Sequence, residues 1–215
     1  MSKRTFTFLY ILSPIIPICI YLSSIGWNGE PIRILSKIFG ICAFALFCNQ
    51  LILASRPAFI VKALGQKHIT MLHSVMPAVI IVAAIVHRFL KAAAGYDVES
   101  TQADLGAAGL ALMVLLSLLA FLLIANLSGK LGDSLRTFRA RLTKRWNISY
   151  KGTRAVHAFT ALAAPVLCVH MLLASSSDFS RNPVGALWLA IYALVSLYLF
   201  INYRASGRMP RKEKK

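Results

Sequence analysis

Residues 69–90 read ITMLHSVMPAVIIVAAIVHRFL, an apolar stretch with a histidine near each end. A helix needs about 20 predominantly apolar residues to cross the hydrocarbon core of a bilayer, so this stretch predicts a membrane-spanning helix. Five further stretches are similar, and the six predicted spans are 5–25, 37–55, 70–90, 105–127, 153–174 and 185–203. Because backbone polar groups must be satisfied within each spanning segment, we expect an all-α integral membrane fold of six transmembrane helices.

The composition of the 215-residue chain agrees with a membrane protein. Apolar residues make up 58% and charged residues 14% of the chain, whereas soluble domains carry about 25% charged residues. Intrinsic disorder is excluded because it requires low hydrophobicity. The four cysteines lie inside apolar runs, so we interpret them as core thiols and not as a disulfide scaffold. We therefore expect a single domain over 1–215, embedded in a lipid bilayer.

The net charge of +17 is distributed unevenly along the chain. Of the 24 Lys and Arg residues, 19 lie at the N-terminus, in the predicted loops at 56–69 and 128–152 with its flank, and in the C-terminal tail. The positive-inside rule then places both termini in the cytoplasm, and we expect a multi-pass protein of the cell (inner) membrane. Within 130–146, apolar residues at near-helical spacing among arginines predict an amphipathic helix on the inner leaflet, which anchors to anionic lipids or docks an acidic partner. No nucleic-acid partner is expected, because the basic loops lack aromatic or motif support.

Four of the five histidines form two pairs within predicted spans: His73 and His87 in the third, His157 and His170 in the fifth. Their separations of 14 and 13 residues correspond to about 21 and 20 Å along a helix. Both spans run from inside to outside, so His73 and His157 lie near the cytoplasmic surface and the other two near the outer surface. Two imidazoles from facing helices at each level are the ligand set of a bis-histidine b-type haem, so we expect two b haems stacked across the membrane.

The helical phase supports this pairing only for the third span. Fourteen residues bring His73 and His87 to one face, whereas thirteen leave His157 and His170 about 140° apart on a straight helix. We expect a kink or bulge near Ala163–Pro165 that restores the face, because proline kinks helices. A proton relay is not favoured, because it would need carboxylates in the spans and none is present. A zinc or copper site is not favoured either, because its ligands would have to lie much closer together than the two histidines of each helix.

Three arginines lie near the two predicted haem levels, Arg56 and Arg154 on the inner side and Arg88 on the outer side. Each is a candidate partner for a haem propionate through a charge-assisted hydrogen bond. Ordinary snorkelling to the membrane interface explains each of them equally well. His68, at the cytoplasmic mouth of the third span, lies outside the paired pattern and is interpreted as a solvated loop residue.

In three runs the chain resembles the ferric reductase-like transmembrane domain family, which includes the NADPH oxidases, ferric reductases and the haem subunit of a bacterial methionine sulfoxide reductase. The runs are GICAFALFCNQLILASRP (40–57), HSVMPAVIIVAAIVH (73–87) and TRAVHAFTALAAPVLCVH (153–170). The resemblance covers roughly residues 36–203. Cytochrome b of quinol-oxidising complexes also uses two histidine pairs, but with a wider spacing in its second helix, and no PEWY-like motif occurs here.

The resemblance implies His73 with His157 as ligands of the inner haem and His87 with His170 as ligands of the outer haem. It also implies single-electron transfer across the membrane, with the chain as the haem-binding membrane subunit of an oxidoreductase. The full-length oxidases continue into a cytoplasmic flavin and nucleotide domain, but no GxGxxG and no flavin motif occurs in these 215 residues.

We therefore expect the electron donor to be a separate cytoplasmic flavoprotein or flavin reductase, or a diffusible flavin. The expected acceptor lies outside the cytoplasm and is ferric iron, oxygen or a redox protein. Two alternatives stay open. A cytochrome b subunit linked to quinol or quinone would keep the haems and change the redox partner. A haem-free transporter or assembly factor would use the histidines for something else.

Overall fold

A computed structural model describes residues 2–25, 30–97, 99–124, 129–145, 152, 162–174 and 177–205. The regular structure of these residues is entirely helical, which confirms the all-α fold class for this part of the chain. The helices are α1 (Lys3–Ile25), α2 (Pro31–Ser55), α3 (Ala58–Ala93), α4 (Thr101–Ile124), α5 (Gly129–Arg145), α6 (Ala163–Leu172) and α7 (Pro183–Phe200), which continues into a π-helical turn (Ile201–Ala205).

Five of these helices, α1, α2, α3, α4 and α7, are long and apolar enough to cross a membrane. They overlap the first, second, third, fourth and sixth predicted spans. The short apolar helix α6 covers the second half of the fifth predicted span, and residues 153–161 of that span lie outside the described part of the chain. The sixth crossing therefore stays a prediction. So does the kink expected near Ala163–Pro165, because it depends on the same residues.

The loop predicted at 56–69 is wrong, since the chain is helical from Ala58 onward. Two residues with positive φ mark the breaks: Arg56 (φ 50°) at the end of α2, and Gly65 (φ 74°), which interrupts α3. Glycine tolerates this backbone conformation because it has no Cβ. His68 consequently lies on α3, half-buried, with its Nε2 2.9 Å from Lys3 Nζ. This contact corrects its interpretation as a solvated loop residue.

Helix α2 lies at the centre of the bundle and packs against α1, α3 and α7, while α4 packs mainly against α6. Apolar side chains from four helices meet in one cluster, which includes Phe47 of α2, Ile80 of α3, Met113 of α4 and Ala164 of α6. Through this cluster α3, which carries His87, and α6, which carries His170, pack against the same core.

Large apolar side chains cover the outside of the helices. Phe89 is 71% exposed, Leu194 is 66% exposed and Val82 is 60% exposed. Soluble monomers rarely expose extensive apolar surface, and apolar surface of this kind marks contact with a membrane or a partner. Together with the five long apolar helices, it indicates a multi-pass protein in a lipid bilayer.

The amphipathic helix predicted at 130–146 is present as α5. It lies next to the end of α4, where Arg139 Nε donates a hydrogen bond to the Leu122 carbonyl oxygen at 3.1 Å. Phe138 is about half exposed on its surface. The position of α5 on the inner leaflet stays a prediction.

Candidate functional site

His87 on α3 and His170 on α6 lie close together, as the sequence analysis expected for the outer level. Their ring centroids are 6.3 Å apart, and the ring planes are inclined by 80°. A bond between a metal ion and an imidazole nitrogen is about 2.0–2.1 Å long, and half the width of each ring adds about 1 Å, so two rings on opposite sides of one ion have centroids about 6 Å apart. The observed separation therefore suits one metal ion between the two rings.

The Nδ1 atom of each ring is hydrogen-bonded to a backbone carbonyl oxygen on a neighbouring helix. His87 Nδ1 lies 2.6 Å from the Ser36 oxygen of α2, and His170 Nδ1 lies 2.7 Å from the Gln102 oxygen of α4. Metal-binding histidines almost always donate the second ring N–H in this way, which fixes the tautomer and the ring orientation. Because a carbonyl oxygen only accepts, Nδ1 carries the proton, and Nε2 is the nitrogen that can bind a metal.

A glycine lies against each of these two rings. A Cβ atom at Gly40 would lie 2.8 Å from His87 Cε1, and a Cβ atom at Gly106 would lie 2.7 Å from His170 Cε1. Each glycine lies four positions after the residue whose carbonyl oxygen accepts the hydrogen bond, and residues four apart share a face of a helix. A side chain at either position would collide with the ring, so both glycines permit the approach that the hydrogen bonds require.

Both histidines line a cavity of about 590 Å³ between α2, α3, α4 and α6. Cofactor and ligand pockets commonly have volumes of about 300–1,000 Å³ and mostly apolar walls with a few polar groups. The walls here are largely apolar and include Phe44, Phe47, Ile80, Met113 and Leu167. A haem is a flat, largely apolar macrocycle with two carboxylates at one edge. The volume, the walls and the paired imidazoles all fit that group.

Three cationic residues, Lys37, Arg88 and Lys91, also line the cavity. Arg88 was a candidate from the sequence and is largely exposed. Lys91 is half-buried, with its Nζ 3.6 Å from the centroid of the Tyr96 ring. Since a cation over an aromatic ring is stabilised by the ring quadrupole, Lys91 is held at the cavity. These cations supply the charge that carboxylates at the edge of a bound group would need.

The cavity wall also contains a buried polar atom that lacks a partner. Ser177 has 0% exposure, and its Oγ makes no hydrogen bond in the described structure. Leaving a buried hydroxyl unpaired costs about 1–3 kcal/mol, so such a group needs an explanation. A bound molecule with an acceptor atom near Ser177 would satisfy it. The orphaned hydroxyl is therefore a further feature that fits an occupant with carboxylates.

Acidic residues near this end of the bundle are exposed. Asp97 lines the cavity beside the cations. Asp178 accepts hydrogen bonds from the Ser180 hydroxyl at 2.6 Å and the Ser180 N–H at 2.8 Å, which lower the pKa of its carboxyl. Glu30 forms an ion pair with Arg33 at 2.7 Å. The surface around the cavity therefore carries charges of both signs, while three cations and one acid line the cavity itself.

His73, the other predicted ligand on α3, is half-buried and has a different hydrogen-bond partner. Its Nδ1 lies 2.9 Å from the side-chain oxygen Oε1 of Gln50 on α2. Its predicted partner His157 lies outside the described residues, as does Arg154. Arg56 lies at the C-terminal end of α2. The pairing of His73 with His157 therefore stays a prediction.

Among the described residues, no group of three or more His, Cys, Asp or Glu side chains is arranged to hold a metal ion. A bis-histidine haem takes only two ligands from the protein, because the macrocycle supplies the remaining four nitrogens. The His87–His170 pair is therefore the metal-ligating arrangement to consider in this part of the chain.

Several functional candidates were missed from the sequence, although signals for some of them are present. Gly40 and Gly106 lie inside continuous helices, where glycine costs about 1 kcal/mol relative to alanine, so a close packing contact is expected at each. Gln50 is a polar amide inside an apolar span, where polar groups are costly. Nothing in the sequence marks Ser177 or the two backbone carbonyl oxygens.

No protein-family model matches the chain, and neither a curated protein nor a solved structure matches it.

Proposed function

We propose that the chain is a haem-b membrane protein that carries single electrons between the two sides of a membrane, as its resemblance to the ferric reductase-like transmembrane domain family implies. The observation that carries this proposal is the His87–His170 pair. Its rings have the separation that one metal ion requires, and each Nδ1 is fixed by a carbonyl oxygen. The adjoining cavity has the volume, the apolar walls and the cations that suit a haem.

In this proposal His87 and His170 hold the iron through Nε2. When bound, the haem would supply an iron centre that accepts and releases single electrons. The carbonyl oxygens of Ser36 and Gln102 hold the imidazoles in one tautomer and one orientation. The apolar walls exclude water, and Lys37 and Lys91 neutralise the carboxylates. Since both imidazoles are given to the iron, the proposed role of the chain is electron transfer and not bond chemistry at a metal.

A second centre is proposed at His73 and His157, about 21 Å along α3 from His87. The basic segments of the chain, including α5, belong to the predicted cytoplasmic side, where they would attract an acidic flavoprotein or a reduced flavin. Electrons would then move from this donor to an acceptor on the His87–His170 side, such as ferric iron or a redox protein. We propose a flavin-bearing donor, since no flavin or nucleotide motif occurs in these 215 residues themselves.

The proposal is tested by purifying the membrane-expressed protein and measuring its haem content with the pyridine haemochrome assay. We expect two b haems per chain and the absorption bands of six-coordinate low-spin haem. NADPH alone leaves them oxidised, whereas NADPH with a flavin reductase reduces them. Protein that is folded but haem-free contradicts the proposal. Reduction by a quinol but not by flavin would replace the flavin donor by the quinol-linked alternative.

A further inference from the structure

We propose that Gln50 is a positioning residue for His73, and that Tyr10 in turn holds the Gln50 side chain in place through a hydrogen bond. This inference rests on the proposed function, because it assigns His73 as an iron ligand. It names a side chain of α2 that the resemblance does not implicate and that controls one of the two centres.

The contacts form a chain across three helices. His73 Nδ1 on α3 lies 2.9 Å from Gln50 Oε1 on α2, and Gln50 Nε2 donates to the Tyr10 hydroxyl on α1 at 3.2 Å. Gln50 is only 7% exposed, and Tyr10 is half-buried. A hydrogen bond at this depth has little competition from water. The His73 ring is therefore tied to two neighbouring helices through a single amide.

The direction of these bonds decides which nitrogen of His73 can bind iron. An amide oxygen only accepts, so Nδ1 of His73 carries the proton, and Nε2 is the nitrogen suited to a metal. The amide would reverse this preference if it turned its NH₂ group toward the ring. In the observed arrangement the Tyr10 hydroxyl accepts from Nε2 of Gln50, which leaves Oε1 facing the ring. Tyr10 thus supports the Gln50 amide, and Gln50 selects the tautomer of His73.

The neighbouring amide on α2 provides an internal comparison. Asn49 is also buried, at 5% exposure, but it is hydrogen-bonded to Ser13 at 2.8 Å and to the Tyr192 hydroxyl, not to a histidine. The chain thus contains two adjacent buried amides, each bonded to one tyrosine, and only one of the two reaches a predicted ligand. A merely structural role predicts equal effects of disturbing either amide.

This arrangement makes the two centres chemically distinct. At His87 and His170 the acceptors are backbone oxygens, which mutation does not remove. At His73 the acceptor is a side chain, so its contribution can be measured. Hydrogen bonding at the second ring nitrogen raises ligand basicity, and removal of such a partner commonly costs 10–100-fold in metal affinity. A more basic ligand stabilises the ferric state, so Gln50 lowers the reduction potential of its haem.

The test is a redox titration and a haem-retention assay on full-length Gln50→Leu, Gln50→Glu, Tyr10→Phe and Tyr192→Phe proteins. In Gln50→Leu we expect one of the two haems to dissociate at least tenfold faster into an acceptor apoprotein. Its ratio of reduced to oxidised form at a fixed potential should rise about tenfold, which is about 59 mV for a one-electron couple. Gln50→Glu restores retention, because a carboxyl group in either protonation state offers an oxygen to Nδ1.

The matched tyrosine variants keep the test decisive if Gln50→Leu does not fold. Tyr10→Phe shifts the same haem in the same direction by a smaller amount, whereas Tyr192→Phe leaves both haem potentials at their wild-type values. Equal shifts in the two tyrosine variants, or a Gln50→Leu protein with unchanged potentials and retention, overturn the role of Gln50. Both of these results leave the haem-b proposal intact, whereas wild-type protein without haem removes the proposed function itself.

Discussion

The imidazole rings of His87 and His170 lie with their centroids 6.3 Å apart, on helices that are separated in the chain by α4 and α5. Both rings make the same hydrogen bond, from Nδ1 to a backbone carbonyl oxygen of a neighbouring helix. Each ring also lies against a glycine that follows this carbonyl group by one turn of the neighbouring helix. The same arrangement of carbonyl oxygen, imidazole and glycine thus occurs between α2 and α3 and between α4 and α6. These hydrogen bonds hold each imidazole in one orientation, which lowers the entropic cost of binding a metal.

Loss of either ring should empty one centre and leave the other. We expect His87→Ala and His170→Ala each to reduce the haem content from two per chain to one, because a single axial ligand does not retain a b haem at this site. The haemochrome assay on purified protein measures this directly. His68→Ala is the matched control, since its ring contacts Lys3 and belongs to neither pair. Loss of both haems from each single variant, or of neither, contradicts the pairing.

A methyl group at either glycine should disturb the same haem. We expect Gly40→Ala and Gly106→Ala each to release that haem at least tenfold faster, because the new Cβ would lie 2.8 or 2.7 Å from a ring carbon and would push the imidazole off its carbonyl oxygen. Ala108→Val is the control on α4, since it adds bulk at an exposed position outside the cavity lining. If Ala108→Val releases haem as fast as Gly106→Ala, general packing damage explains the result.

Neutralising the cations at the cavity should lower the reduction potential of the haem held by His87 and His170. Reduction adds an electron, and a nearby positive charge stabilises the reduced form by on the order of 1 kcal/mol, which corresponds to about a fivefold change in the ratio of reduced to oxidised haem. We expect Lys91→Gln to have a larger effect than Arg88→Gln, because Lys91 is half-buried and Arg88 is largely exposed. Redox titration measures both, with Lys62→Gln as a control on the far half of α3. An equal shift in Lys62→Gln would assign the effect to net charge alone.

Removal of the Ser177 hydroxyl should have opposite effects on the empty and the filled protein. Without haem, Ser177→Ala should be more stable than the wild type by about 1 kcal/mol, because an unpaired buried hydroxyl is lost. With haem, the variant should retain the cofactor less well, because a hydroxyl that donates to a carboxylate is missing. Thermal unfolding of both forms measures the two effects, with Ser23→Ala as the control, because the Ser23 hydroxyl is exposed and bonded to the Ile20 carbonyl oxygen within α1. Unchanged haem retention would show that Ser177 does not contact the bound group.

The helices were predictable because membrane spans are set by length and composition, and these can be read from a single sequence. The error at 56–69 has a physical cause. Its lysines and arginines indicated a loop, but a charged side chain at the membrane surface is compatible with a helix, and within 56–69 only Arg56 and Gly65 have positive φ. The charges therefore predicted the wrong backbone conformation at 58–69, while the side of the membrane on which they lie stays a prediction.

The closeness of His87 and His170 was also predictable, since their similar depth in two parallel spans follows from counting residues. The features that hold the rings were not. Carbonyl oxygens of Ser36 and Gln102 are present in any helix, and only the packing of α2 on α3 and of α4 on α6 selects them. Lys37 and Lys91 were counted for orientation alone, because the sequence does not show that they line a cavity.

Electron transfer across sealed vesicles shows whether electrons pass through the His87–His170 centre. Protein is reconstituted in one orientation, with NADPH and a flavin reductase on the side of α5 and a ferric chelate on the opposite side. We expect the wild type to reduce the chelate and His73→Ala to stop transfer from the donor. In His87→Ala vesicles the donor still reduces the remaining haem, but the chelate stays ferric. Reduction of the chelate by His87→Ala vesicles at the wild-type rate would contradict a path through the His87–His170 centre.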